Sequence, residues 1–221
     1  MRRLVLSMLV ASFLSLACGS DNKSRTLPSP TQATVLVTSM NSQESQTNLD
    51  ARTSQRVSSG LPTQTFDDFT LPSGGTVGSV AWQGIYCVQQ PNAPAPAPSA
   101  TGFFVAFYPD RGGAPDTQSQ LSGTTYPIAQ VNQSFDANAA DLQCGTAPGT
   151  TWGLYRYSAP LATPFVANAR TRYWISVQAV TPNYDIFWGW RNGTPVNNHS
   201  LQIFNGVTTI FNLDRAFSLS R

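Results

Sequence analysis

The sequence is short of the residues that most catalytic chemistry needs. Histidine occurs once, as His199, and glutamate once, as Glu44. Only 11% of the 221 residues are charged, and there are three cysteines. A Ser-His-Asp site would have to use His199. Its setting, Asn197-Asn198-His199-Ser200, reads as a loop entering a strand, and no Gly-x-Ser-x-Gly elbow is present. Sugar hydrolysis calls for two carboxylates facing across a bond, and with Glu44 in a polar N-terminal stretch both would have to be aspartates. Asp67 and Asp68 are adjacent and point to opposite faces of an extended chain. Asp110, Asp116, Asp136, Asp141 and Asp185 stand near turns, where Asp closes loops. No phosphate-binding glycine loop appears. The expectation is a chain that is not an enzyme, with a secreted hydrolase only the third reading.

Long apolar runs are missing too. A membrane-spanning helix needs about 20 apolar residues. The longest stretch, Leu4 to Leu16, has about 13 and follows Arg2 and Arg3, which is the layout of a signal peptide. It leads into Leu14-Ser15-Leu16-Ala17-Cys18-Gly19, which resembles the lipobox of bacterial lipoproteins, with Ser15 and Leu16 departing from the usual residues. The resemblance implies cleavage before Cys18, acyl chains such as palmitate on that cysteine, and stable anchoring in the cell envelope. By resemblance to enterobacterial lipoprotein sorting, Gly19 rather than Asp after the cysteine implies the outer rather than the inner membrane. Loss of Arg2 and Arg3 leaves 11 basic and 11 acidic residues. The sequence pI of about 8.5 is therefore partly a leader effect, and an electrostatic nucleic-acid surface has no support.

With Cys18 lipidated, Cys87 and Cys144 remain as an even pair in an oxidising compartment and are expected to form a disulfide rather than two separate thiols. They stand 57 residues apart, a loop whose closure is worth about 4 kcal/mol in the chain-entropy account.

Three segments follow from composition: a leader over 1–17, a lipidated Cys18 and polar tether over 18–60, and a domain over 61–221. The tether, rich in Ser, Thr, Gln, Asn and Pro, has a coil reach of roughly 35–40 Å. It contains one β-prone run, Ala33-Thr34-Val35-Leu36-Val37, able to add a strand.

The domain carries the punctuation of an all-β protein, with β-branched and aromatic runs between Gly, Pro, Asn and Asp clusters. Val80, Trp82 and Tyr86 share one side of an extended Val77–Cys87. Tyr173, Ile175, Val177 and Ala179 line one face of another strand, with the period of two expected there. Gly102 to Tyr108 is apolar on both faces, as in a central strand covered on both sides. Further strands are expected near Phe66–Leu71, Tyr126–Phe135, Trp152–Ser158, Tyr184–Trp190, Ser200–Phe204, Val207–Leu213 and Arg215–Leu219. Around nine such strands imply a two-sheet antiparallel β-sandwich, jelly-roll in preference to immunoglobulin-like. The proline-rich stretch at 91–98 reads as a stiff excursion between strands.

Phe66-Asp67-Asp68-Phe69-Thr70-Leu71-Pro72 resembles the opening of a broad, uncharacterised class of secreted bacterial β-sandwich domains. Arg172-Tyr173-Trp174-Ile175-Ser176-Val177, Trp188-Gly189-Trp190 and Asp214-Arg215-Ala216-Phe217-Ser218-Leu219 follow in the same order. The resemblance implies a non-enzymatic extracellular domain and carries over no ligand.

Two constellations suggest binding. Trp188 and Trp190 share a strand face, and with Tyr184, Arg191 and Asn192 they form a candidate carbohydrate site in which rings stack on sugars and polar groups meet hydroxyls; core anchoring is the competing reading. Asp67 and Asp68 brought near Asp214 would be a candidate structural Ca²⁺ site, against turn-capping and pairing with Arg215. No other cofactor is expected. The leading function is a surface-anchored, non-catalytic recognition, adhesion or envelope-structural domain, with a carbohydrate-binding module as the alternative. Expected partners are the membrane, through lipid, and a polysaccharide or another envelope protein.

Overall fold

Two alternating strands set the architecture of the molecule. The computed structural model describes residues 34–38, 51–57, 62–88, 95–141, 144 and 151–221. The leader, Cys18, most of the tether and residues 91–94 of the proline-rich stretch lie outside these. The strands are β1 (Val35–Thr38), β2 (Arg52–Thr53), β3 (Gln55–Val57), β4 (Gln64–Thr70), β5 (Gly75–Cys87), β6 (Gly102–Pro109) and β7 (Ser122–Pro127). They continue as β8 (Asn132–Ala139), β9 (Trp152–Ala167), β10 (Arg172–Thr181), β11 (Phe187–Trp190), β12 (Ser200–Phe204), β13 (Val207–Phe211) and β14 (Phe217–Ser220).

The chain folds as an all-β sandwich of two sheets. In the first, long β5 is central. β9 and then β8 lie on one side; on the other, β14 and β11 follow each other end to end, each edged by a short strand, β1 or β2. The second sheet runs β13-β12-β4-β10-β6-β7, and β3 continues the place of β4 along β10. All pairings are antiparallel apart from β3 on β10.

Between the sheets lies an aromatic core. Val80, Trp82 and Tyr86 of β5 meet Tyr173, Ile175, Val177 and Ala179 of β10, as their alternation required. Trp82 stacks on Tyr157 at 5.6 Å, and Phe103 stands between these rings and Trp188. Such pairs add to simple area burial. β6 is flanked by β10 and β7, and Phe104, Ala106 and Tyr108 on its outer face join Phe66, Trp174 and Leu201 in a second cluster. A third, around Ile85, Cys87, Ala139, Cys144, Trp152 and Leu154, includes the Cys87–Cys144 disulfide, with a Cα–Cα distance of 5.1 Å.

Several boundaries differ from the sequence expectation: β9 runs on to Ala167, and β11 begins only at Phe187. Tyr126–Phe135 is not one strand: the 3₁₀ turn Ile128–Gln130 breaks it, leaving β7 in one sheet and β8 in the other. The domain also starts well before residue 61. The β-prone run forms β1 against β14, and residues 51–57, which carry no apolar alternation, pair with both sheets. The chain crosses between sheets at Ser54. Its N–H donates to Trp188 O at 3.1 Å, its carbonyl accepts Ala179 N at 2.9 Å, and its hydroxyl donates to Val177 O and accepts from Thr65 N. Hydrogen bonds, not apolar periodicity, hold this segment, so it was hidden from pattern reading.

Candidate functional site

The two sheets are unequal in width along the edge that Ser54 closes. β12 and β13 extend the second sheet beyond β4, joined by the Asn205-Gly206 turn, both residues with positive φ as a two-residue hairpin requires. The opposing edge of the first sheet is only the two-residue β2. A cleft of about 510 Å³ lies here, lined by Thr53, Thr63, Tyr184, Phe187, Gln202, Phe204 and Asn205. That volume falls in the range of about 300–1,000 Å³ occupied by small-molecule sites. Gln202 Nε2 donates to Thr53 O at 2.7 Å and ties the two sheets together beside it. Tyr184 and Phe187 lie 6.5 Å apart with rings tilted by 35°. Phe204, 51% exposed, stands on the hairpin, and its register partner Val207 is 65% exposed. Among the described residues, the lining combines aromatic surface with amides and hydroxyls and includes no carboxylate, imidazole or guanidinium.

The residues proposed from sequence divide sharply. Tyr184 lines this cleft. Trp188 and Trp190 do not: both are fully buried in the main core, so neither offers a ring face to a sugar. Alternation placed them on one face, but only the opposing sheet shows that this face is the interior. Arg191 is buried as well. Its Nη1 donates to Ala140 O and lies 3.5 Å from Asp141, whose carboxylate also accepts Ala51 N. Asn192, 4% exposed, forms a β-bridge with Arg215. These corrections move the candidate site from β11 to the rim of the cleft. Phe187, Gln202, Phe204 and Asn205 went unnoticed; the Asn-Gly hairpin flanked by aromatic and β-branched residues was the signal available.

Asp67 of β4 meets the turn before β14 that carries Asp214, whereas Asp68 does not join them. Asp67 accepts from Asp68 N and, at 2.5 Å, from Arg215 N. Asp214 accepts from the backbone N–H groups of Val196, Asn197 and His199, fixing the loop before β12. Asp68 faces the other side of the sheet, where Asn197 Nδ2 donates to it at 3.0 Å and Arg172 Nε and His199 Nδ1 each lie 3.3 Å away. Burial pushes Asp67 well above the usual carboxylate range, assisted by the negative charges of Asp214 and Asp68 and opposed by Arg215. Burial also raises Asp68, against the pull of Arg172 and His199. Among the described residues, no group of three or more His, Cys, Asp or Glu is arranged to hold a metal ion. The oxygens of Asp67 and Asp214 are directed at backbone N–H groups.

His199 is more than a loop residue. Its ring meets Trp174 edge-on at 5.1 Å, and Trp174 Nε1 donates to Asp110. The neighbouring Ser200 hydroxyl donates to Leu213 O and accepts from Arg215 Nε, away from the imidazole.

A family model matches residues 40–214, from ahead of β2 through β13. The chain belongs to the DUF7901 family, described as a domain of unknown function. No curated protein and no solved structure matches the chain. In this DUF7901 member the matched span includes the cleft, the Ser54 crossing and the disulfide, whereas β1 and β14 lie outside it. No helix among the described residues is long and apolar enough to cross a membrane.

Proposed function

We propose that this DUF7901 chain is an envelope-anchored, non-catalytic recognition domain that presents its cleft away from the membrane. The supporting observation is the polarity of the sandwich. Thr34, where the described chain enters, accepts a hydrogen bond from Arg221 N beside the Gly75 end of β5. The cleft lies past the other end, where Phe187 pairs with Cys87. The 13 residues of β5 separate the two ends, a length of about 40 Å at the rise of a strand. With Cys18 lipidated, only residues 19–33 connect the lipid to β1, at most about 50 Å when fully extended. The chain thus enters the sandwich at one end, and the cleft opens at the other.

Fractionation of cells expressing the full chain tests the anchor. The wild type should incorporate labelled palmitate and sediment with membranes, and Cys18→Ser should do neither; an unlabelled wild type in the soluble fraction sinks this part. Retention on isolated envelope material tests recognition. Phe204→Asp, at the cleft, should abolish retention, and Val166→Asp, at the Gly75 end and also exposed to water, should leave it intact. Equal retention of the two variants would remove the cleft from the function.

A further inference from the structure

We infer that the cleft takes a neutral oligosaccharide, lying along the inner face of the β12–β13 hairpin. The inference rests on the recognition reading above and adds the chemical class of the ligand. In the register of the hairpin, Gln202 faces Thr209 and Phe204 faces Val207, and cross-strand partners share a face. Gln202 reaches Thr53 of the opposing sheet, so this is the face turned toward the cleft. The hairpin extends past the edge of the first sheet, and the cleft thus continues as a shelf bearing Phe204, Val207 and Thr209, all exposed. Along it the surface alternates aromatic or apolar groups with hydroxyls and amides.

That alternation matches a sugar chain, whose rings carry apolar C–H faces and hydroxyl edges. Phe204 on β12 and the tilted Tyr184–Phe187 pair leading into β11 bring aromatic rings to the lining from both sheets. Asn205, exposed at the hairpin turn, supplies an amide, and Thr53 and Gln202 supply polar groups at the floor. An anionic ligand would call for guanidinium or ammonium groups, and a cationic one for carboxylates; among the described residues the cleft lining carries neither, and the Arg52 guanidinium on the same hairpin face is stacked over Phe211 at 4.0 Å. An acyl chain would cover the Asn205 amide and the threonine hydroxyls of the lining with hydrocarbon, at a cost. Neutral hydroxyl-rich rings satisfy both halves of the lining.

The experiment is titration of the full chain, purified in detergent, with neutral gluco- and manno-oligosaccharides of four to six units. Polygalacturonate and a pool of short peptides serve as the other ligand classes. Calorimetry reads affinity, and a melting curve for every variant confirms folding. Phe204→Ala and Tyr184→Ala should each weaken neutral-oligosaccharide binding at least tenfold with the melting temperature held. Asn205→Gly keeps the turn and should weaken binding several-fold, and Val166→Ala should change nothing. Oligosaccharide binding that survives Phe204→Ala and Tyr184→Ala overturns the assignment. Cleft-dependent binding of polygalacturonate or peptide alone overturns the sugar class and leaves the recognition reading standing. No cleft-dependent binding of any probe overturns both.

Discussion

The indole of Trp188 occupies the space where a side chain on Gly84 would stand: a Cβ there would lie 2.3 Å from Trp188 Cε2 and Cζ2. Gly84 is the inward-facing position between Trp82 and Tyr86 on β5, and Trp188 reaches it from the neighbouring strand. Phe103 and Tyr157 meet the indole edge-on at 5.2 and 6.2 Å. Protein interiors are close-packed, which leaves the indole little room to retreat.

Gly84→Ala is therefore an overpacking substitution, of the kind that costs about 1–3 kcal/mol. A lower denaturant midpoint with an unchanged slope is expected, together with an altered near-ultraviolet tryptophan signal. Unchanged stability would mean that Trp188 does not fill this site.

Residues 51–57 give a second expectation. Ser54 bonds both sheets, Gln55 Oε1 accepts Trp188 N at 2.9 Å, and Ala51 N donates to Asp141 at 2.9 Å. A chain beginning at residue 60 would strand these partners, each at about 1–3 kcal/mol, against a total stability of about 5–15 kcal/mol. Such a chain should show no cooperative thermal transition, whereas one beginning at residue 33 should melt cooperatively. A sharp transition in the shorter chain would show that the crossing is dispensable.

The third expectation concerns pH. Burial raises Asp67 in the folded protein, so above the unfolded carboxylate value of about 3.9 the native state binds more protons than the unfolded one. Stability from this group is then full at acid pH and is lost as pH rises through the folded value. Asp68 shares the direction. Asp67→Asn removes one such group, so the loss of stability between pH 4 and pH 8 should be shallower than in the wild type. Melting temperatures across that range supply the comparison; identical slopes would show that Asp67 does not titrate differently on folding.

Much of the molecule was legible before any tertiary structure. The all-β class, the inward faces of β5 and β10, the boundaries of β12, and Cys87 with Cys144 as the pair left over all follow from local rules. A strand repeats every two residues, and two cysteines brought within reach can close a disulfide.

What the sequence alone determined is which residues share a face; it did not determine what that face meets. The alternation of Trp188 and Trp190 is the same for a core and for a binding platform, and only the opposing sheet buried them. Residues 51–57 joined the fold through hydrogen bonds, which leave no apolar pattern. The cleft was decided last, because it arises from the different widths of two sheets and draws on residues far apart in the chain, from Thr53 to Asn205. Strand period is a local property, whereas which sheet overhangs the other depends on pairings between distant segments.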